Sequence, residues 1–267
     1  MTALTTTPRP TAAEGAAGLG FLPGFGGLLR KELTEWRRGR RTWVVFIVSA
    51  LFMMLAALNT WLQTVLPEEA RERGAAPAAE PMAILAEAIG SQVFAVAAVF
   101  AVIGLLVAER ESGTLAWTAS KPVSRSAIWL AKLAGSVGVL WIVAGLLPVA
   151  ATVALIVALY GEVDSGATTI MALGTGLSVI FYVVVALTAS TLVTSQAAVA
   201  AIAIGAMFLP QLLGLVVPPQ FLPTSILPWT MMVANGEPAG VATPIVWAGT
   251  IAILIAFSLR RMERMEL

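Results

Sequence analysis

The sequence predicts an all-α integral membrane protein with six transmembrane helices, an N-terminal interfacial helix, a short cytosolic helix between spans 2 and 3, and an outer re-entrant segment between spans 5 and 6. Three observations predict it. Of 267 residues, 58% are hydrophobic and 12% charged, against about 25% charged in soluble domains. Six stretches approach the roughly 20 apolar residues that a bilayer core about 30 Å thick requires. Of the 16 basic residues, 14 lie before span 1, in 109–132 around the connection between spans 2 and 3, or after span 6, as the positive-inside rule favours for one side of the membrane.

Composition narrows the chemistry before any motif is read. The 15 acidic and 16 basic residues nearly cancel, so charge gives no sign of a nucleic-acid partner. The chain has no Cys and no His. Thiolate and imidazole metal sites, Cys nucleophiles, His general bases and disulfides are thereby removed together, and neither a metal nor a catalytic residue is expected.

Residues 1–23 are rich in Thr, Ala, Gly and Pro, with Arg9 and Glu14 as their charges. They read as a flexible cytosolic tail, because no apolar core follows a basic start as in a signal peptide. In residues 24–41, at 100° per residue, Phe25, Leu28, Leu29, Leu33 and Trp36 gather on one face, with Arg30, Lys31, Arg37 and Arg38 around the other. Such an amphipathic helix lies in the membrane interface.

The six spans occupy 42–66, 84–108, 128–160, 168–193, 197–217 and 244–259, within a transmembrane domain of residues 42–259, and residues 260–267 form a cytosolic tail. Only Glu87 and Lys132 carry charge inside these limits, each near a span end. Of the Lys and Arg residues, seven precede span 1, four lie in 109–132, and three follow Leu259. Arg71 and Arg73 share their loop with four Glu, and the remaining loops hold Glu162, Asp164 and Glu237. Both termini and the 2–3 connection are therefore expected to face the cytosol, and the chain is expected in the cytoplasmic (inner) membrane as a multi-pass protein. Trp43 and Trp61 bracket span 1 as interfacial anchors. Pro148 and Pro210 are expected to kink or break spans 3 and 5. The segment 218–229 is too apolar for a solvated loop and too rich in proline for a span, hence the outer re-entrant assignment. No internal repeat is present.

The connection 109–127 is the most informative stretch. Ser112 is expected to cap a short helix, Pro122 to end it, and Ser124 to cap the next helix. This short helix would present Leu115 and Trp117 on the cytosolic side, as a binding surface or, for Trp117, at rest on lipid headgroups. Glu109, Arg110 and Glu111 would form fixing ion pairs, or Glu111 would favour the helix N-terminus; the alternative is a solvated charge run. Asn59 and Gln63, one turn apart in span 1, would contact substrate or bond a neighbouring helix. Small residues at Ala197, Ala201 and Gly205, and at Ala134 and Gly138, would permit close helix approach, within the subunit in preference to between subunits. Residues 82–91, with Glu87, would form an outer interfacial helix or expose a headgroup-level carboxylate.

The string ERESGTL (Glu109, Arg110, Glu111, Ser112, Gly113, Thr114, Leu115), followed by PVSR from Pro122 to Arg125 and by Lys132, resembles the signature of ABC-2 type permeases, the membrane subunits of ATP-binding cassette exporters. LLRKEL, with Leu29, Lys31 and Glu32, resembles that family's interfacial connecting helix, here running from Phe25 to Trp36. The resemblance implies that the short cytosolic helix is a coupling helix, contacting a separate ATPase through Glu109, Glu111, Gly113, Thr114, Leu115, Trp117, Pro122 and Arg125. It also implies a permease homodimer with two ATPase copies, ATP and Mg held by the partner, and no cofactor bound by this chain. The sequence contains no G-x-x-x-x-G-K-[ST] phosphate loop, so the ATPase is expected on another chain.

The expected function is therefore export of a hydrophobic or amphipathic substrate, because the spans lack charge at mid-membrane. An ion- or proton-coupled secondary transporter is the alternative, although such machines need an ionisable group buried within the spans. A non-transporting sensor or maturation subunit is another.

Overall fold

The computed structural model of the chain describes residues 22–65 and 80–265, and every regular element among them is helical. Residues 1–21 of the expected tail 1–23, the loop 66–79 and residues 266–267 of the expected tail 260–267 lie outside the described residues. Helix α1 (Phe25–Arg38) and α2 (Arg40–Val65) are separated only by Gly39, whose backbone is extended. Next come α3 (Pro81–Gly90), α4 (Val93–Val102), α5 (Gly104–Glu111) and the short α6 (Thr114–Ala119). Then follow α7 (Arg125–Leu140), a π-helical segment Trp141–Leu146, and α8 (Leu147–Tyr160). Helices α9 (Ser165–Leu192) and α10 (Gln196–Leu213), two 3-10 turns, α11 (Ile226–Ala234) and α12 (Ala242–Glu263) complete the order.

Among the described residues, five stretches are long and apolar enough to cross a membrane: Arg40–Leu62, Pro81–Glu111, Arg125–Tyr160, Ser165–Leu192 and Ala242–Glu263. The expected fifth span, 197–217, is a shorter apolar helix, and Pro210 stands inside its last turn without ending it. The second stretch is segmented. Its 31 residues would measure about 46 Å as one helix at ~1.5 Å per residue, but the chain breaks at Gln92, which has φ of 52°; at Ile103, between α4 and α5, the backbone stays helical and its N–H still donates to the Val99 carbonyl. The expected helix 82–91 is α3, Pro81–Gly90, which buries Ile84, Leu85, Ala88 and Ile89. Its Glu87 is exposed and accepts a 2.8 Å hydrogen bond from Thr60 Oγ1 on α2.

Pro148 lacks the N–H that would bond the Ala144 carbonyl, and the π-helical turn lies where that bond is missing. The wider turn brings Gly145 against α9, where a Cβ would sit 2.7 Å from Thr175 Oγ1. Helix α9 is the centre of the fold, with residues buried around its whole circumference from Phe181 to Thr191 apart from Val185. Two of its glycines set close contacts. A Cβ on Gly176 would lie 2.5 Å from Trp141 Nε1, and one on Gly174 would meet Thr230 Oγ1 at 2.1 Å. The latter contact seats α11, in the proline-rich segment, against α9.

The small residues singled out in the sequence face the other way. Ala197, Ala201 and Gly205 on α10 and Ala134 and Gly138 on α7 are all exposed. A Cβ on Gly138 or Gly205 would touch nothing. They do not mediate close approach within the subunit, which falls instead to Gly135, Gly145, Gly174 and Gly176. Elsewhere on the surface, Trp43, Ile47, Leu51 and Phe52 of α2 and Ile245, Ile253 and Phe257 of α12 are exposed apolar side chains, as suits helices facing hydrocarbon.

Candidate functional site

Helix α1 is an amphipathic helix, but its apolar face is not free. At 100° per residue, Glu32 falls in the middle of the stripe formed by Phe25, Leu28, Leu29 and Trp36. Trp36 and Glu32 are buried, whereas Leu33 at the edge of the stripe is exposed and Phe25 and Leu29 are half-buried. That face packs on α7. Gly135 makes the approach possible, since a Cβ there would already stand 3.0 Å from Glu32 Cβ. At the start of α1, Gly24 has φ of 82° and fits against Val123, while Ser124 N donates to the Pro23 carbonyl at 3.3 Å.

Lys132, three residues before Gly135 on α7, enters the same contact. Its Nζ donates to Glu32 Oε1 at 2.9 Å and pairs with Glu109 Oε1, at the end of α5, at 2.8 Å. The side chains of Lys132, Glu32 and Glu109 are 2%, 5% and 18% exposed. Lys31 reaches the same Glu109 oxygen and Glu35 Oε1, each at 3.4 Å. One carboxylate thus ties α1, α5 and α7 together. Burial pushes the Lys31 ammonium down, but Glu109, Glu35 and Glu32 outweigh it and hold its pKa above the ordinary lysine value of 10.5. Oxygens of Glu32, Glu35 and Glu109 approach within 4.8 Å of one another. The ammonium groups of Lys31 and Lys132 already bond these carboxylates, so the cluster acts as an ion-pair joint.

Helix α6 follows directly. Gly113, with φ of 71°, turns the chain into it, and no side chain caps it. Ser112 does not cap α6 as expected. It ends α5, where its hydroxyl donates to the Glu109 carbonyl at 3.3 Å and also bonds Thr114 Oγ1. Glu111 likewise closes α5, outside the first turn of α6, and makes no ion pair among the described residues. Leu115 is not on the surface: it is 1% exposed and belongs to the core. A six-residue helix makes too few internal bonds to stand alone, so its one large aliphatic residue anchors it. Trp117 on the opposite side is 62% exposed, with Lys121 Nζ 3.5 Å above its ring.

The remaining partners fall around this joint. Ser124 caps α7 as expected, accepting from Ala127 N at 3.1 Å. Pro122 is exposed in the turn between α6 and α7. Arg125 Nη1 donates to the carbonyls of Glu263 and Met265, and Arg110 Nη2 to the Ser190 carbonyl at 3.3 Å and to Met265 Sδ at 3.0 Å. The end of α12 is thereby held beside α5 and α7. Asn59 is exposed on α2, and the Gln63 side chain lies outside the described residues. The structure brings Lys31, Glu32, Glu109 and Arg125 into one region with α6, and leaves Asn59 apart. Lys132, read in the sequence as lying near a span end and as part of the family-like signature, joins them through its pairs with Glu32 and Glu109.

A model of the family described as ABC-2 family transporter protein matches residues 27–231, from the first turn of α1 into α11. No curated protein matches the chain.

Proposed function

The chain belongs to the ABC-2 family of transporter proteins, and from that membership we propose that it exports an amphipathic or hydrophobic substrate with energy from a separate ATPase docked on α6. Membership makes it a multi-pass membrane permease component, not itself catalytic, whose general partner is an ATP-binding cassette protein. In the proposal the permease is a homodimer with two ATPase copies, which hold ATP and Mg, and this chain binds no cofactor. It sits in the cytoplasmic membrane with six spans, α10 being the fifth, and with both termini cytosolic. Helix α1 is then the connecting helix in the interface, α6 the coupling helix, and the segment carrying α11 the outer re-entrant cap.

The observation that carries this reading is the pairing of Leu115 and Trp117 on one short helix. Leu115 fixes α6 to the core while Trp117 stands out with Lys121 over its ring, as an aromatic group awaiting a partner surface does. Force applied at Trp117 reaches α1 and α7 within a few residues, through Glu109 and Lys132. The buried ionisable cluster is internally paired at the α1 end of the bundle, which favours a mechanical joint over an ion-carrying site. Copurification of the ATPase with Trp117 variants, alongside ATP turnover of the complex, tests the proposal.

A further inference from the structure

Helices α2 and α4 leave a groove of about 680 Å³ between them, lined by Val45, Val48 and Phe52 on one wall and Val96 and Phe100 on the other. Its volume lies within the roughly 300–1,000 Å³ of small-molecule sites. The lining is carbon except at one end, where Arg41 closes it. Arg41 also borders an adjoining cavity of about 430 Å³ that extends towards Gln196 on α10. Phe52 and Phe100 are exposed, so the groove opens sideways through the apolar face of α2.

Arg41 has one face engaged. Its guanidinium stacks on Trp36 at 4.2 Å, and it makes no ion pair among the described residues. The nearby carboxylates are taken: Glu32 by Lys132, and Glu35 and Glu109 by lysines. Exposed Arg37, Arg38 and Arg40 at the same junction add positive charge. A cation at the mouth of a hydrocarbon-lined groove is complementary to a molecule that is anionic at one end and apolar along the rest. Basic pockets between membrane helices bind such headgroups. A second protein helix laid in the groove would cover Arg41 without neutralising it, which desolvates a charge at a cost.

We propose that the α2–α4 groove binds one anionic phospholipid, with an acyl chain along Val48, Phe52 and Phe100 and its phosphate on Arg41. The site requires neither the ATPase nor the transport reading, and its test uses the chain alone.

Because the chain has no Cys, a bimane label is placed singly through Val48→Cys in the groove or Ile253→Cys on the exposed face of α12. The full chain is reconstituted in phosphatidylcholine vesicles containing small fractions of dibrominated phosphatidylglycerol or dibrominated phosphatidylcholine. At position 48 the glycerol lipid should half-saturate quenching at about a fivefold lower fraction, the factor that one basic group contributes near an anionic headgroup. At position 253 the two lipids should quench equally. Arg41→Gln should bring the ratio at position 48 close to one, and Arg41→Lys should keep most of it. If Arg41→Gln fails to insert, Val96→Trp, which fills the groove, must abolish the preference in its place. Equal quenching by the two lipids at position 48, or a preference that survives Arg41→Gln, overturns the proposal. So does quenching by neither lipid at position 48 while position 253 responds, since protein then covers the groove.

Discussion

Lys132 on α7 and Glu32 on α1, a hundred residues apart, form a buried ion pair of 2.9 Å, and the same ammonium group pairs with Glu109 at 2.8 Å. Removing one member of a buried pair costs about 3–5 kcal/mol, because the survivor stays desolvated without a partner. Lys132→Met leaves carboxylates within 4.8 Å of one another and should lower the melting temperature of the detergent-solubilised chain sharply. Glu32→Leu combined with Lys132→Met should recover much of that loss. Thermal unfolding of the two single variants and the double variant measures the coupling, and additive losses would mean that the pair is not the joint.

Lys31 provides the exposed counterpart. Its side chain is 41% exposed, so Lys31→Gln should cost less than about 1 kcal/mol, and salt should reduce that further. Its pKa is raised in the folded state. Its contribution is therefore complete below pH 10.5 and is lost as pH rises through the folded value. Melting curves of wild type and Lys31→Gln should run parallel between pH 6 and 9, and converge only in strong alkali.

Leu115 and Trp117 should separate folding from docking. Leu115→Ala removes a core side chain and should cost about 2–5 kcal/mol of stability, with less protein recovered from the membrane. Trp117→Ala should leave expression and melting unchanged. It should weaken ATPase copurification by roughly thirtyfold, as loss of a ~2 kcal/mol aromatic contact does. Normal copurification and ATP turnover in Trp117→Ala would place the ATPase contact elsewhere.

Glycine substitutions separate inward from outward small residues. Gly174→Ala puts a Cβ 2.1 Å from Thr230 Oγ1 and should cost about 1–3 kcal/mol by overpacking. Gly205→Ala meets open space and should be neutral or slightly stabilising for the isolated chain. Melting of the two purified variants checks the contrast.

Much of this architecture was legible in the sequence because it follows from apolar length and local turn chemistry. Ser124 capped α7 as read, and long apolar helices lie over the expected first, third, fourth and sixth spans, whereas the expected second is interrupted at Gln92 and the expected fifth is a shorter helix. The joint was only half legible. Glu32 in the middle of an apolar stripe, and Lys132 followed by Gly135 in an apolar helix, each break the local pattern. Their pairing depends on how α1 packs across α7, which periodicity along one helix does not encode. Leu115 was misplaced for a related reason, since both faces of α6 carry an apolar residue and only tertiary contact decides which is inside. The inward glycines were missed because their tight contacts are with Glu32, Thr175, Trp141 and Thr230, partners that four-residue spacing cannot reveal.

The orientation of the chain rests on its basic residues and is open to direct labelling, since no native Cys interferes. Ser165 at the start of α9 and Glu237 after α11 are exposed, as are Ser120 after α6 and Arg264 after α12. Single Cys substitutions at positions 165 and 237 should react with an impermeant maleimide in intact cells. Those at 120 and 264 should react only after the membrane is opened. Arg125–Tyr160, between α6 and α9, and α12, between α11 and the C-terminus, are each long and apolar enough for one crossing. With each crossing once, position 120 is expected opposite 165, and 237 opposite 264. Labelling of position 120 from outside would invert the whole assignment and remove α6 from reach of a cytosolic ATPase. Opposite sides for 165 and 237 would instead show that the helix Gln196–Leu213 does not act with Ser165–Leu192 as a pair of spans.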